Sequence, residues 1–351
     1  MWTFRLKRTF LTGLTIGTAI AIAVAIGAVA YERYDTQTLK RITRRGELQC
    51  GVNTGLPGFS SADEKGNWSG FDVDFCRAIA AAIFNDPTKV KFVPLDADER
   101  FKGLQTRKID VLSRNSTWSM ERETEYELYF AAVSYYDGQG FMVPKARNVE
   151  SALELDGSKV CVLAGTTSPL NLADYFRANN IKYQEVKLPK VDDVLKAYDS
   201  GQCDVLTTDM SQLYALRLKL GKPDEHVILA DVISKEPLAP VVRLRDDDWM
   251  LIVRWSFYAM VIAEELGVTS KNIDEALKST KPEVMRLLGT EGEYGEDLGL
   301  TNDWAVRIIR HVGNYGEVYE RNVGTGSKLG IPRGLNQLWT NGGLQYAPPI
   351  R

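Results

Sequence analysis

The sequence predicts an α/β protein of two lobes, each built on a mostly parallel β-sheet flanked by helices. Strand-like and helix-like segments alternate from Thr38 onward, and this alternation is typical of βαβ units and parallel sheets. The same plan begins again near Ala146, although the two halves share no sequence repeat. A chain of 351 residues is also long enough for two domains, each with its own core.

The periodicity of apolar residues predicts the individual elements. In the first half we expect strands at 47–53, 90–95, 110–115 and 131–137, and helices at 72–84 and 97–108. In the second half we expect strands at 159–164, 183–188, 204–208 and 227–232, and helices at 169–179, 191–199 and 210–219. Beyond Pro240 the pattern becomes helical, with helices at 247–266, 272–279, 282–288 and 303–320.

Two extended segments, Tyr135–Pro144 and Ser234–Arg243, are the predicted crossings between the lobes, because glycine or proline marks each of them. They divide the chain into a discontinuous first lobe, residues 38–140 and 241–351, and a second lobe, residues 141–240. Two lobes joined by two crossings form a hinge with a cleft between them.

The N-terminus has the pattern of a targeting segment. Arg5, Lys7 and Arg8 precede an uncharged run over residues 10–30, which ends in Ala28-Val29-Ala30, the small-x-small form of a signal-peptidase site. The run is also long enough to span a bilayer as a helix, so residues 1–30 are either a cleaved signal peptide or an uncleaved anchor. In both interpretations the rest of the chain is exported.

The charge balance argues against a nucleic-acid partner. The first 30 residues hold three of the 43 basic residues and none of the 46 acidic ones, so the remaining chain has a net charge of −6. Nucleic-acid binding calls for a basic face instead. The two histidines, His226 and His311, lack neighbours at metal-ligand spacing, so we expect neither a metal site nor a cofactor.

Export places the four cysteines in an oxidising compartment, where an even number favours disulfide bonds. Cys50 ends a strand-like run and Cys76 lies in the helix-like run that follows, whereas Cys161 and Cys203 both belong to the second half. This separation suggests the pairs Cys50–Cys76 and Cys161–Cys203. The alternative is four small buried thiols.

Polar side chains that suit a small carboxylate follow the strand predicted at 110–115. Asn115 and Thr117 lie two residues apart, so on an extended segment they point the same way. Arg122 comes after the chain can have turned into a helix, and a guanidinium fork binds two carboxylate oxygens at once. The alternative is an exposed arginine beside a loop.

Two features of the second half could complete such a site. Thr166 and Thr167 follow Gly165 at the predicted start of a helix, where free N–H groups and the helix dipole attract an anion. Asp209 lies at the carboxyl end of another strand, and open α/β sheets bind ligands at that edge. Thr166 or Thr167 could instead be the helix N-cap, and Asp209 could cap the helix that follows it.

These motifs resemble those of the family 3 periplasmic solute-binding proteins, which deliver polar amino acids to ATP-driven importers. The run Gly70–Phe75 is similar to the family signature, and the other motifs occur in family order over roughly residues 40–320. Tyr136–Phe141 and Gly343–Pro349 resemble the branch of general L-amino-acid-binding proteins. The resemblance implies the two-lobed periplasmic binding protein fold and a broad-specificity, extracytoplasmic substrate-binding component of an ABC importer.

The resemblance also implies a role for each matching residue. Arg122 would hold the α-carboxylate of the ligand, assisted by Thr117 and Thr167. Asp209 would take the α-ammonium, with the Asn115 carbonyl and the Thr117 hydroxyl as further acceptors. The expected partners are L-amino acids and the membrane permease subunits of an ABC transporter, and the protein is expected to be a periplasmic monomer that is not an enzyme.

One departure from the family pattern concerns the side-chain pocket. Many relatives carry an aromatic residue before the proline of the first glycine-rich loop, where this chain has Leu56. Phe59, Trp68 and Trp118 are the candidates to line the pocket, and packing in the core is the alternative for each. Loosely contacted walls would suit a binder of broad specificity.

Two other functions stay open. Some relatives of the implied fold are dehydratases that act on prephenate-like acids, as cyclohexadienyl dehydratase does, but this chain offers no Ser/His or Cys/His arrangement. The second alternative is a ligand-sensing receptor domain. We expect it less, because no later stretch of the sequence is apolar enough to span a membrane.

Overall fold

Two five-stranded β-sheets organise residues 38–351, the part of the chain that the structure, a computed structural model, describes. The strands in chain order are β1 Leu48–Val52, β2 Ser61–Ala62, β3 Trp68–Ser69, β4 Val90–Pro94, β5 Val111–Leu112, β6 Leu128–Phe130, β7 Tyr135–Asp137, β8 Gln139–Pro144, β9 Ser158–Leu163, β10 Tyr183–Leu188, β11 Val205–Asp209, β12 His226–Ile228, β13 Glu236–Leu238 and β14 Val241–Arg243. The predicted targeting segment, residues 1–30, lies outside the described residues.

Each sheet is mostly parallel, as predicted. The first has the strand order β4-β1-β5-β14-β6 and the second the order β10-β9-β11-β8-β12. In each sheet four strands run in one direction and a fifth, β14 or β8, runs against them. The predicted pair of mostly parallel sheets is confirmed.

The two crossings between the sheets pair with each other. β7 and β13 form a two-stranded antiparallel sheet in which Asp137 lies opposite Glu236 and Tyr135 opposite Leu238. β8 follows β7 into the second sheet, and β14 follows β13 back into the first. The antiparallel strand of each sheet is therefore the one that enters from a crossing, and the predicted hinge of two crossing segments is confirmed.

Helices cover both sheets and supply much of the core. They are α1 Thr38–Arg45, α2 Phe71–Phe84, α3 Arg100–Gln105, α4 Met120–Thr124, α5 Ser168–Ala178, α6 Val191–Asp199, α7 Met210–Arg217, α8 Asp247–Glu265, α9 Ile273–Ala276, α10 Pro282–Leu287, α11 Tyr294–Asp297, α12 Trp304–His311 and α13 Tyr315–Asn322. α2 is apolar on several faces and is buried between β1, α8 and α12. No helix within residues 38–351 is both long enough and apolar enough to cross a membrane.

The helix predicted at 303–320 is two helices, α12 and α13. Gly313 has a φ of 99°, in the left-handed region that favours glycine. Asn314 then begins a new helix with a capping box, in which its side chain accepts from the N–H of Glu317 at 2.9 Å. Local turn chemistry thus interrupts an apolar pattern that continues through the break.

Both predicted disulfide bonds are present. Cys50 of β1 is bonded to Cys76 of α2, and Cys161 of β9 is bonded to Cys203, which lies just before β11. Each bond joins neighbouring elements of one lobe, so the bonds leave the cleft between the lobes free to change its opening. The predicted pairing is confirmed.

A C-terminal arm, residues 329–351, packs beside the first crossing. The side-chain amide of Asn336 accepts from the N–H of Tyr136 at 2.7 Å and donates to its carbonyl at 3.0 Å. Gln345 donates from Nε2 to the carbonyl of Ser134 at 3.3 Å. The arm therefore adds hydrogen bonds to the strand β7 that carries the hinge.

Candidate ligand-binding site

The residues predicted to hold a small ligand all line one cavity in the cleft between the sheets. They are Asn115, Thr117, Arg122, Thr166, Thr167 and Asp209. The cavity lies beyond the carboxyl ends of β1, β5, β9 and β11, the edge at which open α/β sheets bind ligands. The structure therefore brings together side chains from segments that are far apart in the sequence.

The loop that follows β5 is held in place by a buried carboxylate. Asp72, in the first turn of α2, accepts hydrogen bonds from the N–H of Asn115 and the hydroxyl of Ser113, both at 3.1 Å. Asn115 has a positive φ of 26°, so its backbone depends on this support. Burial raises the pKa of Asp72 to about 6, and the two hydrogen bonds oppose the shift. The family-signature aspartate thus supports the site from behind.

Arg122 reaches the cavity from the short helix α4. Ser119 caps this helix by accepting from the N–H of Arg122 at 3.4 Å. The guanidinium donates to the carbonyl of Thr117 at 2.7 Å and lies 5.3 Å from the ring centre of Phe101. Burial lowers the pKa of Arg122, and the nearby carboxylate of Glu236 opposes this shift. The arginine is therefore buried in the cleft and not exposed beside a loop.

The turn after β9 places Thr166 and Thr167 on the opposite wall. Gly165 makes the turn with a φ of 71°. Thr166 donates its hydroxyl to the carbonyl of Leu163 at 2.8 Å. Thr167 occupies the N-cap position of α5, but its side chain makes no capping hydrogen bond and donates instead to Glu236 at 3.0 Å. Thr167 therefore occupies the N-cap position, as the alternative interpretation expected, but its hydroxyl does not cap the helix.

Asp209 ends β11 and occupies the N-cap position of α7, again without a capping hydrogen bond. Asp137 takes that role by accepting from the N–H of Ser211 at 3.3 Å. Within residues 38–351 the Asp209 carboxylate makes no hydrogen bond or ion pair. Burial raises the pKa of Asp209 well above its ordinary value, and the negative charges of Glu236 and Asp137 raise it further. A cation bound beside Asp209 would therefore stabilise the ionised form of this buried carboxylate.

Two further arginines line the cavity, although the sequence did not predict them. Arg100 begins α3 and donates to the carbonyl of Gly165 on the opposite wall at 3.3 Å, while its Nε has no partner among the described residues. Arg114 donates from Nε to the carbonyl of Leu95 at 2.9 Å. Burial lowers the pKa of both, that of Arg114 to about 10, and repulsion from Arg122 adds to the effect. Together with Arg122 they make the wall of the cavity on the side of the first sheet strongly positive.

Glu236, which was also not predicted, lies behind the cavity in the crossing strand β13 and is only 1% exposed. Its carboxylate accepts from the hydroxyls of Thr117 (2.5 Å), Thr167 (3.0 Å) and Ser234 (2.7 Å) and from the amide of Asn171 (2.7 Å). Thr117 belongs to the wall formed after β5, and Thr167 and Asn171 belong to the wall formed by α5. Glu236 therefore connects the two walls.

The three aromatic residues proposed for the side-chain pocket lie elsewhere. None of them lines the cavity, and each packs its ring against other aromatic rings. The pairs are Phe59 with Phe71 and Tyr135, Trp68 with Phe92, and Trp118 with Phe130. All three therefore pack in or against the core, which was the alternative to the pocket. A large ring buries more apolar area against another ring than beside a charged cleft.

Direct hydrogen bonds close the cleft. Asn115 donates from its side-chain amide to that of Gln212 at 3.2 Å, and Arg100 donates across the cleft to Gly165. In this closed arrangement Arg122 and Asp209, which carry opposite charges, face the same cavity from opposite walls. A small molecule with a carboxylate and an ammonium group matches that arrangement of charges.

Known proteins are similar to this chain along nearly its whole length. The sequence profile of the bacterial extracellular solute-binding proteins, family 3, matches residues 48–215. The general L-amino acid-binding periplasmic protein AapJ of Rhizobium johnstonii is 56% identical over 333 residues, which cover 94% of this chain and 98% of AapJ. The glutamate/glutamine/aspartate/asparagine-binding protein BztA of Rhodobacter capsulatus is 51% identical over 330 residues, covering 94% of this chain and 98% of BztA.

A solved structure has the same fold. It is an ABC transporter periplasmic binding protein from Brucella ovis with glutathione bound, and it is 55% identical to this chain. The two superpose with a TM-score of 0.89 over 90% of this chain and 99% of the other. The chain described here therefore belongs to the bacterial extracellular solute-binding proteins of family 3.

Proposed function

We propose that the protein is the extracytoplasmic substrate-binding component of an ABC importer and that it binds L-amino acids, with broad specificity, in the cleft between its lobes. The observation that carries this proposal is that Arg122 and Asp209, two buried side chains of opposite charge, line the same cavity. An α-amino acid carries an ammonium group and a carboxylate on the same carbon atom, and their charges are complementary to those of Asp209 and Arg122. The names of AapJ and BztA support the same class of ligand.

Each end of the ligand has its own proposed partners. Arg122 holds the α-carboxylate, because a guanidinium fork binds both oxygens at once. N–H groups of the Thr166–Thr167 turn, at the start of α5, assist it. Asp209 takes the α-ammonium, and oxygen atoms of Asn115 and Thr117 are further acceptors. These contacts involve only the groups that all α-amino acids share, which suits broad specificity.

The proposed lobes are residues 38–140 with 241–351 and residues 141–240, because the paired strands β7 and β13 lie at these limits. With these limits Arg122 belongs to the first lobe and Asp209 to the second. A ligand that is held by both residues binds the closed arrangement better than an open one, and so favours closure.

The additional arginines support acidic amino acids as ligands. Arg100 and Arg114 line the same cavity, and the Nε of Arg100 is a buried donor without a partner among the described residues. We propose that Arg100 contacts the side-chain carboxylate of glutamate or aspartate. The name of BztA includes both of these amino acids and their amides, which supports a site that accepts charged and neutral side chains.

The proposed location is the periplasm, and the proposed protein partners are the membrane permease subunits of an ABC transporter. The periplasmic relative AapJ supports the location. We propose that the protein is a monomer and has no catalytic activity, and that it uses neither a cofactor nor a metal ion. Mass spectrometry of the mature N-terminus distinguishes cleavage of residues 1–30 from their retention as an anchor.

Calorimetric titration of unfolded and refolded, ligand-free protein against the twenty amino acids tests the proposed function. We expect one binding site and measurable affinity for several L-amino acids, with weaker binding of their D-enantiomers. Arg122→Ala should lose affinity for all of them, whereas Arg177→Ala, which alters an exposed arginine, should not. Refolded wild-type protein that binds no amino acid would contradict the proposal.

A further inference from the structure

Glu236 is a buried carboxylate whose hydrogen-bonding capacity is full. A carboxylate has about four lone-pair sites, and Glu236 accepts four hydrogen bonds. Oε2 accepts from the hydroxyls of Thr117 and Thr167, and Oε1 accepts from the side chains of Asn171 and Ser234. Glu236 therefore has no acceptor site left for a ligand and acts on the cavity through its neighbours.

The two threonine hydroxyls that line the cavity are polarised by this arrangement. A threonine hydroxyl has one proton to donate and two lone pairs that accept. Thr117 and Thr167 each donate that proton to Oε2 of Glu236, at 2.5 Å and 3.0 Å. Towards anything else in the cavity, both hydroxyls can then act only as acceptors. An acceptor pair suits an ammonium group, which has three donors and no acceptor.

Backbone hydrogen bonds join the strand of Glu236 to the loop that carries Thr117. The N–H of Trp118 donates to the carbonyl of Pro237 at 2.8 Å, and the N–H of Ala239 donates to the carbonyl of Ser116 at 3.0 Å, so β13 is bonded to the loop after β5. Glu236 therefore lies in a strand that is bonded through its backbone to the loop that carries Thr117. Thr167 and Asn171 lie on the opposite wall, and their side chains donate to Glu236, so this carboxylate contacts both walls of the closed cleft.

We propose that Glu236 is a positioning residue that selects ligands with an α-ammonium group, because it fixes Thr117 and Thr167 as hydrogen-bond acceptors. This inference rests on the proposed function and adds a residue to it. The wild-type site accepts an amino acid but opposes the corresponding 2-oxo acid, whose keto oxygen is itself an acceptor. The negative charge of Glu236 favours the same choice, since it adds to that of Asp209.

The test compares glutamate with 2-oxoglutarate, which have the same side chain and differ at the α position. Glu236→Gln keeps the size of the side chain but replaces one carboxylate oxygen by an NH₂ group. Asn171 can only donate from Nδ2, so it keeps the amide oxygen on its side, and the NH₂ group faces the threonine hydroxyls, which regain their protons to donate. We expect Glu236→Gln to bind glutamate about ten- to a hundred-fold more weakly, the scale of one hydrogen bond to a charged group. Its affinity for 2-oxoglutarate should stay the same or rise.

The controls separate this inference from the proposed function and from misfolding. Glu225→Gln alters an exposed glutamate and should change neither affinity. Thr167→Val removes one acceptor from the cavity and one of the four donors to Glu236, but leaves the carboxylate itself in place. It should also weaken glutamate more than 2-oxoglutarate, and it provides the test if Glu236→Gln does not fold. Equal weakening of both ligands in a folded variant would show that Glu236 only joins the walls, and would overturn the inference. Failure of the wild type to bind glutamate would contradict the proposed acidic ligands, and failure to bind any amino acid would contradict the proposed function.

Discussion

The Asp209 carboxylate lies in surroundings that oppose its negative charge. Burial raises its pKa well above the ordinary value, Glu236 and Asp137 raise it further, and Arg100 and Arg122 oppose the shift. A ligand ammonium favours the ionised form, so it binds best when Asp209 has released its proton. At the scale of single residues, amino-acid binding therefore competes with protonation of Asp209.

We expect the affinity for glutamine to fall as the pH is lowered, beginning above the range in which an exposed aspartate titrates. Below the raised pKa of Asp209, each pH unit should cost about tenfold in affinity, because one proton must leave before the ammonium can pair. Titration calorimetry from slightly alkaline to mildly acidic pH measures this change. Asp209→Asn cannot titrate and should bind more weakly with a smaller pH dependence, whereas a constant wild-type affinity would contradict the assignment.

The cleft arginines should differ in what they recognise. Arg122→Ala should weaken all amino acids to a similar extent, because removing one partner of a buried charge pair costs about 2–5 kcal/mol whatever the ligand side chain. Arg100→Met keeps an unbranched side chain without charge and should weaken glutamate more than glutamine. Calorimetry with both ligands gives the ratio of affinities, with Arg177→Met as the exposed control. An unchanged ratio in Arg100→Met would exclude the proposed contact.

At the scale of elements, apolar periodicity located most strands and helices because burial on one face leaves a periodic signal. The strand predicted at 131–137 shows where the signal fails. The structure has β6 at Leu128–Phe130 and β7 at Tyr135–Asp137, since the residues between them lead from the first sheet into the crossing. Ala131 and Ala132 are apolar because they pack in the core, and not because they belong to a strand.

Site residues that follow a strand end could be predicted, and those that tertiary structure brings in could not. Asn115 and Asp209 lie where β5 and β11 deliver them to the cleft. Arg100 begins a short helix and Glu236 lies in a crossing strand, and no neighbouring motif marks either of them. The prediction that Phe59 lines the side-chain pocket differs from its position in the structure for a related reason. The residue type does not tell whether an aromatic side chain faces the core or a pocket.

The C-terminal arm should stabilise the crossing strand β7. The side chain of Asn336 bonds both the N–H and the carbonyl of Tyr136, and Asn336→Ala leaves these two backbone groups without that partner. A buried backbone group without a hydrogen bond costs about 1–3 kcal/mol. The free energy of unfolding, measured with a denaturant, should fall by that amount. Asn341→Ala lies in the same arm, alters an exposed side chain and serves as the control. Equal midpoints for Asn336→Ala and the wild type would contradict the role of the arm.

At the scale of the whole molecule, the balance of charge in the cleft should set the opening of the lobes. Arg100, Arg114 and Arg122 are buried together on the closed cavity, and their repulsion opposes the closed arrangement. A ligand carboxylate reduces this repulsion and its ammonium pairs with Asp209. The ligand therefore binds the closed arrangement more tightly than the open one, and only such a difference in affinity can shift the equilibrium.

We expect the radius of gyration to decrease when a bound amino acid closes the lobes, and the scattering profile with ligand to match the closed arrangement described here. Small-angle X-ray scattering of refolded protein, with and without saturating glutamate, measures the change. Arg122→Ala at the same ligand concentration should keep the profile of the ligand-free wild type, because it lacks the contact that joins the carboxylate to the first lobe. Wild-type protein that binds glutamate by calorimetry yet scatters identically in both states would contradict closure by a hinge, since Arg122 and Asp209 would then face each other at a fixed distance.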